Sequence, residues 1–211
     1  GTDITGFSQN DSSGSSLSIS SDGTIVAIGL PGDVGSGDSS GHVRIYQLNE
    51  GSWVPLGGSI YGESVGDHSG VVSLSSDGLT LAIGESHNDG LSSDAGYVRI
   101  YQLKSDDWVQ VGDDIEGSPG IDYQAGASVS LSFDGRTVAI GAPLSSGTSF
   151  RSGHVRVYQL NNHDQWEQLG SLLHGDDISD LFGTSVSLSG DGSILAVGAP
   201  ENDGVGSSDN G

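Results

Sequence analysis

The chain has 211 residues, 33% of them hydrophobic, with 36 glycines and a formal net charge of −22 from 28 acids against six basic side chains. A field of that sign repels nucleic acid and anionic lipid, so neither is expected as a partner, and the absence of cysteine removes disulfides and thiolate chemistry. No apolar run approaches the ~20 residues of a membrane span and no signal peptide is visible, so direct membrane insertion is not expected.

In chain order, the first patterned stretch is residues 16–31, SLSISSDGTIVAIGLP. A short alternating run leads through an x-Asp-Gly turn into a more continuously apolar run ending in Gly, which reads as a β-hairpin. The sequence rewrites this stretch at 71–86 (VVSLSSDGLTLAIGES), 128–143 (SVSLSFDGRTVAIGAP) and 185–200 (SVSLSGDGSILAVGAP). The turn aspartates Asp22, Asp77, Asp134 and Asp191 are 55, 57 and 57 residues apart, so the chain is built of repeats. After each hairpin comes a loop and then a third run: HVRIYQL at 42–48, YVRIYQL at 97–103 and HVRVYQL at 154–160. A second turn leads to a fourth run opened by Trp53, Trp108 or Trp166. Long polar connections, such as 171–183, then return to the next hairpin. Disorder is the competing reading of a Gly/Ser-rich acidic chain, and apolar runs recurring in register oppose it.

Four antiparallel strands per ~50-residue period is the arithmetic of a β-propeller blade, and no helical stripe competes with it. The expected fold is therefore an all-β propeller of four-stranded antiparallel blades, with repeat units at about 1–57, 58–112, 113–170 and 171–211. Residues 1–6 (GTDITG) match 112–117 (GDDIEG), the tail of a fourth strand, and the last unit stops where a third strand should follow. About three and a half blades are thus present, and a longer propeller, or completion by another chain, is expected. The Gly start and the lack of Met point to a processed product or an excerpt.

Phe182-Gly183 followed by Gly198-Ala199-Pro200 resembles the FG-GAP repeat of integrin α-subunit propellers. A second GAP stands at Gly141-Ala142-Pro143, with degenerate versions at Gly29-Leu30-Pro31 and Gly84-Glu85-Ser86. The third-strand pattern Gly-x-Val-x-Val/Ile-Tyr is similar to that family's G-x-V-Y-V-Y. The resemblance implies an extracellular or cell-surface location and a role in structure, adhesion or recognition of a protein or glycan. It also brings to mind calcium, but the family's D-x-D-x-D-G loop is replaced here by Ser-Asp-Gly, Phe-Asp-Gly or Gly-Asp-Gly. One carboxylate on a two-residue turn cannot supply the six to eight oxygens that calcium takes, so no cofactor is carried over to these turns.

The recurrent residues each have a structural and a functional reading. Asp22, Asp77, Asp134 and Asp191 suit turn chemistry, with the side chain bonding local backbone. Arg44, Arg99 and Arg156 recur in the third run; a charge-assisted bond to a neighbouring strand or blade is favoured over an anion or carbohydrate site. Trp53, Trp108 and Trp166 suit wedging between blades more than sugar stacking. The variable loops carry paired acids at Asp33/Asp38, Asp89/Asp94 and Asp203/Asp209. Of these Asp89, Asp94, Asp203 and Asp209 are candidate weak Ca2+ ligands, against the default of solvated loops. Asn10 opens a glycosylation sequon, Asn-Asp-Ser. No nucleophile elbow, phosphate loop or metal-ligand spacing is present. The expected function is a non-catalytic module; a propeller-based hydrolase, a lectin, or a subunit closing its open ends with further copies are the alternatives.

Overall fold

The computed structural model describes residues 3–6, 11–32, 39–88, 95–117, 123–146 and 149–202, and the regular structure among them is entirely β. Each repeat forms its own antiparallel sheet. The first holds β1 (Ser16–Ile19), β2 (Ile25–Leu30), β3 (His42–Asn49), β4 (Ser52–Pro55) and β5 (Ile60–Tyr61). The second holds β6 (Val71–Leu74), β7 (Thr80–Glu85), β8 (Tyr97–Lys104), β9 (Asp107–Gln110) and β10 (Ile115–Glu116). The third holds β11 (Ser128–Leu131), β12 (Thr137–Ala142), β13 (His154–Leu160), β14 (Trp166–Gln168) and β15 (Leu173–His174). β16 (Ser185–Leu188) and β17 (Leu195–Gly198) form a two-stranded hairpin, the start of a fourth blade.

The four-stranded blade is thus seen with its outermost strand broken in two. β3 pairs Tyr46 with Pro55 and Val43 with Ile60, so Arg44 and Ile45 face the four residues 56–59. The same offset recurs between Tyr101↔Gln110 and Val98↔Ile115, and between Tyr158↔Gln168 and Val155↔Leu173. The two surplus residues make a bulge. Each bulge carries a glycine in the left-handed region: Gly57 (φ 73°), Gly112 (75°) and Gly170 (77°).

The Asp-Gly turn is longer than the two-residue hairpin expected from the sequence. The Ser20 N–H donates to the Ile25 carbonyl, leaving the four residues 21–24 in the turn, and only Gly23 of the Asp-Gly pair has positive φ. Serine explains the length: Ser20 Oγ donates to Asp22 Oδ1 and accepts from the Ile25 N–H, holding the carboxylate over the turn.

The core lies between blades. Ile25, Ala27, Val43 and Ile45 of the first sheet bury against Val72, Leu74, Leu81 and Ile83 of the second. Ala82, Val98 and Ile100 of the second bury against Val129, Leu131, Val138 and Ile140 of the third. Alternate residues of the second strand therefore serve opposite interfaces, which is why that strand reads as continuously apolar. On the first blade, Leu17 and Ile19 are 62% and 58% exposed, whereas their counterparts Val72 and Leu74 are 6% and 8% exposed. No described blade stands on that side of the first sheet.

Candidate functional site

Several of the recurrent polar residues lie on the blade-to-blade seams. Along the innermost strands, Ser16 and Ser18 hydroxyls accept the N–H groups of Val72 and Leu74 at 3.0 and 2.9 Å. Ser73 accepts from Leu131, and Ser130 from Leu188, each at 3.0 Å. The alternation of serine with apolar residues is thus a ladder of bonds between neighbouring sheets. A second ladder runs through the turns, where Ser21, Ser76 and Phe133 each donate a backbone N–H to the next turn's Ser76, Phe133 or Gly190 carbonyl.

The glycines of FG and GAP meet across the same seam. A Cβ placed on Gly29, Gly84 or Gly141 would lie 1.8, 2.1 or 2.1 Å from the carbonyl oxygen of Gly70, Gly126 or Gly183 in the next blade. Only a residue without a side chain allows that approach. Within one blade the Gly183 N–H donates to the Gly198 carbonyl at 3.0 Å, so the two motif glycines bond in one sheet and touch across two.

The tryptophans latch the outer rims. Trp108 Nε1 donates to the Leu56 carbonyl and Trp166 Nε1 to the Val111 carbonyl, both at 2.9 Å. Each indole lies against the bulge glycine of the preceding blade, Gly57 or Gly112. Trp53 occupies the same register position, opposite Leu48, on the first blade.

The arginines share a strand position and differ in partner. Arg99 lies between two blades: its guanidinium donates to Glu85 Oε1 of its own sheet and to the Tyr61 carbonyl and Glu63 of the first. Glu85 is 0% exposed, and Ser69 Oγ adds a bond at 3.2 Å. Burial pushes its carboxyl up to about 7, with the Arg99 charge and hydrogen bonds pulling the other way. The neighbouring Tyr97 hydroxyl is raised by burial and by the Glu85 charge. In the first blade Leu30 replaces the acid, and Arg44 Nε donates to His42 Nε2 at 3.0 Å. In the third Ala142 replaces it, beside a half-buried Arg156 and a buried His154.

The turn aspartates act locally. Asp22, Asp77, Asp134 and Asp191 each accept a serine hydroxyl and a backbone N–H two residues on through Oδ1. These bonds hold the Asp22 and Asp191 carboxyls below the usual range, Asp191 at about 2. At Asp134 burial opposes the same bonds, and the net shift is again downward.

Sequence reading missed a further set of acids. Asp11, Asp67 and Asp180 are 6%, 1% and 2% exposed in connections that look solvated. Asp67 and Asp180 Oδ2 accept the N–H groups of Ser64 and Asp177, three residues back, and Asn202 Nδ2 also reaches Asp180. Each precedes the FG-position glycine (Gly14, Gly70, Gly183) by three residues, a signal available by aligning the repeats. The candidate calcium ligands Asp89, Asp94, Asp203 and Asp209, the Asp33/Asp38 pair and the sequon Asn10 lie outside the described residues.

Among known proteins, no curated sequence matches the chain. A candidate 6-phosphogluconolactonase from Bacteroides uniformis superposes with a TM-score of 0.56 at 12% identity, over 85% of this chain and 45% of that one. Kuenenia stuttgartiensis hydrazine synthase superposes with a TM-score of 0.55 at 18% identity, over 87% of this chain and 49% of that one. The chain spans about half the length of either, and at these identities the likeness is one of fold. Residues 166–211 match the FG-GAP repeat family. A β-propeller by fold, the chain carries in its last quarter a segment similar to the FG-GAP repeat.

Proposed function

We propose that the chain is a non-catalytic propeller module of a secreted or cell-surface protein, and that it recognises a protein or glycan partner through its loop-bearing end. The observation that carries this reading is a set of large apolar side chains left in water there: Val65, Phe150, Ile178 and Tyr123 are 70%, 64%, 57% and 47% exposed. Val65 and Ile178 hold the same place in two repeats, on the connections into β6 and β16. The Phe150 loop joins this group, its carbonyl accepting the Ser179 N–H at 3.0 Å. Exposed apolar side chains on the connections at one end of the blades suit a partner surface, while serines, glycines, tryptophans and Arg99 hold the blades together. A lactonase reading would rest on fold likeness alone.

The test is binding of the immobilised chain to a panel of purified extracellular-matrix proteins and to a glycan array. A partner held by the native chain and lost by the Val65→Ser/Phe150→Ser/Ile178→Ser variant supports the reading. Absence of any partner, or equal binding by the variant, refutes it.

A further inference from the structure

The two complete blade interfaces use the same positions but carry different residues at their turn end. Between the first and second blades, Ile25 is buried in the core cluster and Leu79 stands at the rim. Between the second and third, the corresponding residues are Thr80 and Arg136. This seam holds a cavity of about 150 Å³, lined by Thr80, Gln102, Asp134, Arg136, Asp164 and Trp166 among others.

Three of these side chains are fixed by hydrogen bonds within the cavity wall. Trp166 is held by the Val111 carbonyl at 2.9 Å. Arg136 Nη2 donates to the Leu160 carbonyl at 2.8 Å. Asp134 uses Oδ1 for Ser132 Oγ (2.6 Å) and the Arg136 N–H (3.0 Å), which leaves Oδ2 available. A site whose walls are already ordered loses little entropy on binding.

We propose that this pocket binds a neutral pyranose. Planar carboxylates, a carboxamide and a guanidinium present paired acceptors and donors that match vicinal hydroxyls. The indole supplies an apolar wall for the C–H face of a sugar ring. Two carboxylates against one guanidinium disfavour an anionic ligand, and the guanidinium within the ring of groups disfavours a bare cation. The pocket lies at the opposite end of the sheets from Val65, Phe150 and Ile178, so it is a separate site from the proposed partner surface.

The test titrates the full chain with glucose, galactose, mannose and N-acetylglucosamine, read by tryptophan fluorescence and by ligand-detected NMR. Saturable binding of at least one is expected. The variant Thr80→Ile/Arg136→Leu puts the first interface's residues into this seam, removing the guanidinium and replacing the threonine hydroxyl with apolar bulk, and should weaken binding about tenfold or more. Gln102→Ala, at an exposed strand position, should weaken it in the same direction and guards against misfolding of the double variant. Failure of all four sugars to bind, or unchanged binding by the folded variants, overturns the proposal. In both cases the matrix-protein assay with the Val65→Ser/Phe150→Ser/Ile178→Ser variant reports separately on the partner surface.

Discussion

Replacing Glu85 by glutamine tests whether burial, rather than its ion pair, governs the second blade's charged cluster. The Glu85 carboxyl is raised from 4.5 to about 7 chiefly by desolvation, with Arg99 opposing. Because the folded value lies above the unfolded one, the native state holds this proton more tightly. Its contribution to stability is full below pH 4.5 and is lost as pH rises through about 7. At roughly 1.4 kcal/mol for each tenfold change in proton affinity, the loss amounts to about 3 kcal/mol. Glutamine keeps the shape and a carbonyl acceptor for Arg99 but cannot ionise. Urea unfolding of both proteins from pH 4.5 to 8 gives the comparison, and subtracting the variant cancels titrations common to the two. The native chain should match the variant near pH 4.5 and fall below it by up to about 3 kcal/mol by pH 8. A difference that stays flat, or rises with pH, would show that Arg99 fully offsets the burial and would refute the reasoning.

Removing the other partner should have the opposite consequence. Arg99→Met leaves Glu85 buried without its cation and should cost about 3–5 kcal/mol at pH 8, less at pH 5, measured by the same urea midpoints. Trp108→Phe keeps the ring packing but strands the Leu56 carbonyl, with an expected loss of about 1 kcal/mol; no change in midpoint would mean water replaces the indole N–H. Gly84→Ala drives a methyl to within 2.1 Å of the Gly126 carbonyl and should cost about 3 kcal/mol or more by forcing the blades apart. Gly198→Ala is the control, since its new methyl meets the Ser185 hydroxyl at 2.4 Å and no backbone of another blade. Thermal unfolding followed by circular dichroism should separate the two variants clearly.

Much of the fold was legible because each blade repeats the same local chemistry. The Asp-Gly spacing marks the hairpins, and the HVRVYQL run at 154–160 is β13 itself. The outermost strand was legible only in part. Its first half opens with tryptophan, but the bulge glycine reads as a strand end, and Leu173 and His174 of β15 were hidden within a polar connection. Two residues pairing after a four-residue gap leave almost no periodic signal. The turn is longer than its sequence suggests because Ser-x-Asp-Gly carries the same dipeptide as a tight hairpin; the serine hydroxyl at its start sets the longer form. In the sequence Glu85 reads as a mere departure from GAP. An acid in a run otherwise apolar, with an arginine two places into the next strand, was the available clue. Asp67 and Asp180 escaped notice because glycine- and serine-rich connections resemble solvated loops, although their bonds to residues three places back make them compact.

The seams also explain how near-identical repeats can carry different sites. At one end of each interface the backbone of one blade touches the glycine of the next, Gly84 against the Gly126 carbonyl in the second interface. The serine ladder, through Ser73 and Leu131, and the turn ladder, through Ser76 and Phe133, fix the spacing along the inner strands. The tryptophan latch, Trp166 on Val111, fixes it at the rim. With three sides held by backbone contacts, a lost methylene cannot be absorbed by moving the sheets together. Where Thr80 stands in the second seam at the position that Ile25 holds in the first, the space lined by Thr80 and Arg136 persists because its surroundings cannot relax into it. The constant residues thus do more than stabilise the propeller. By holding the blades at a set distance, they let the residues on an interface differ without the seam closing, as where Thr80 and Arg136 line the pocket of the second.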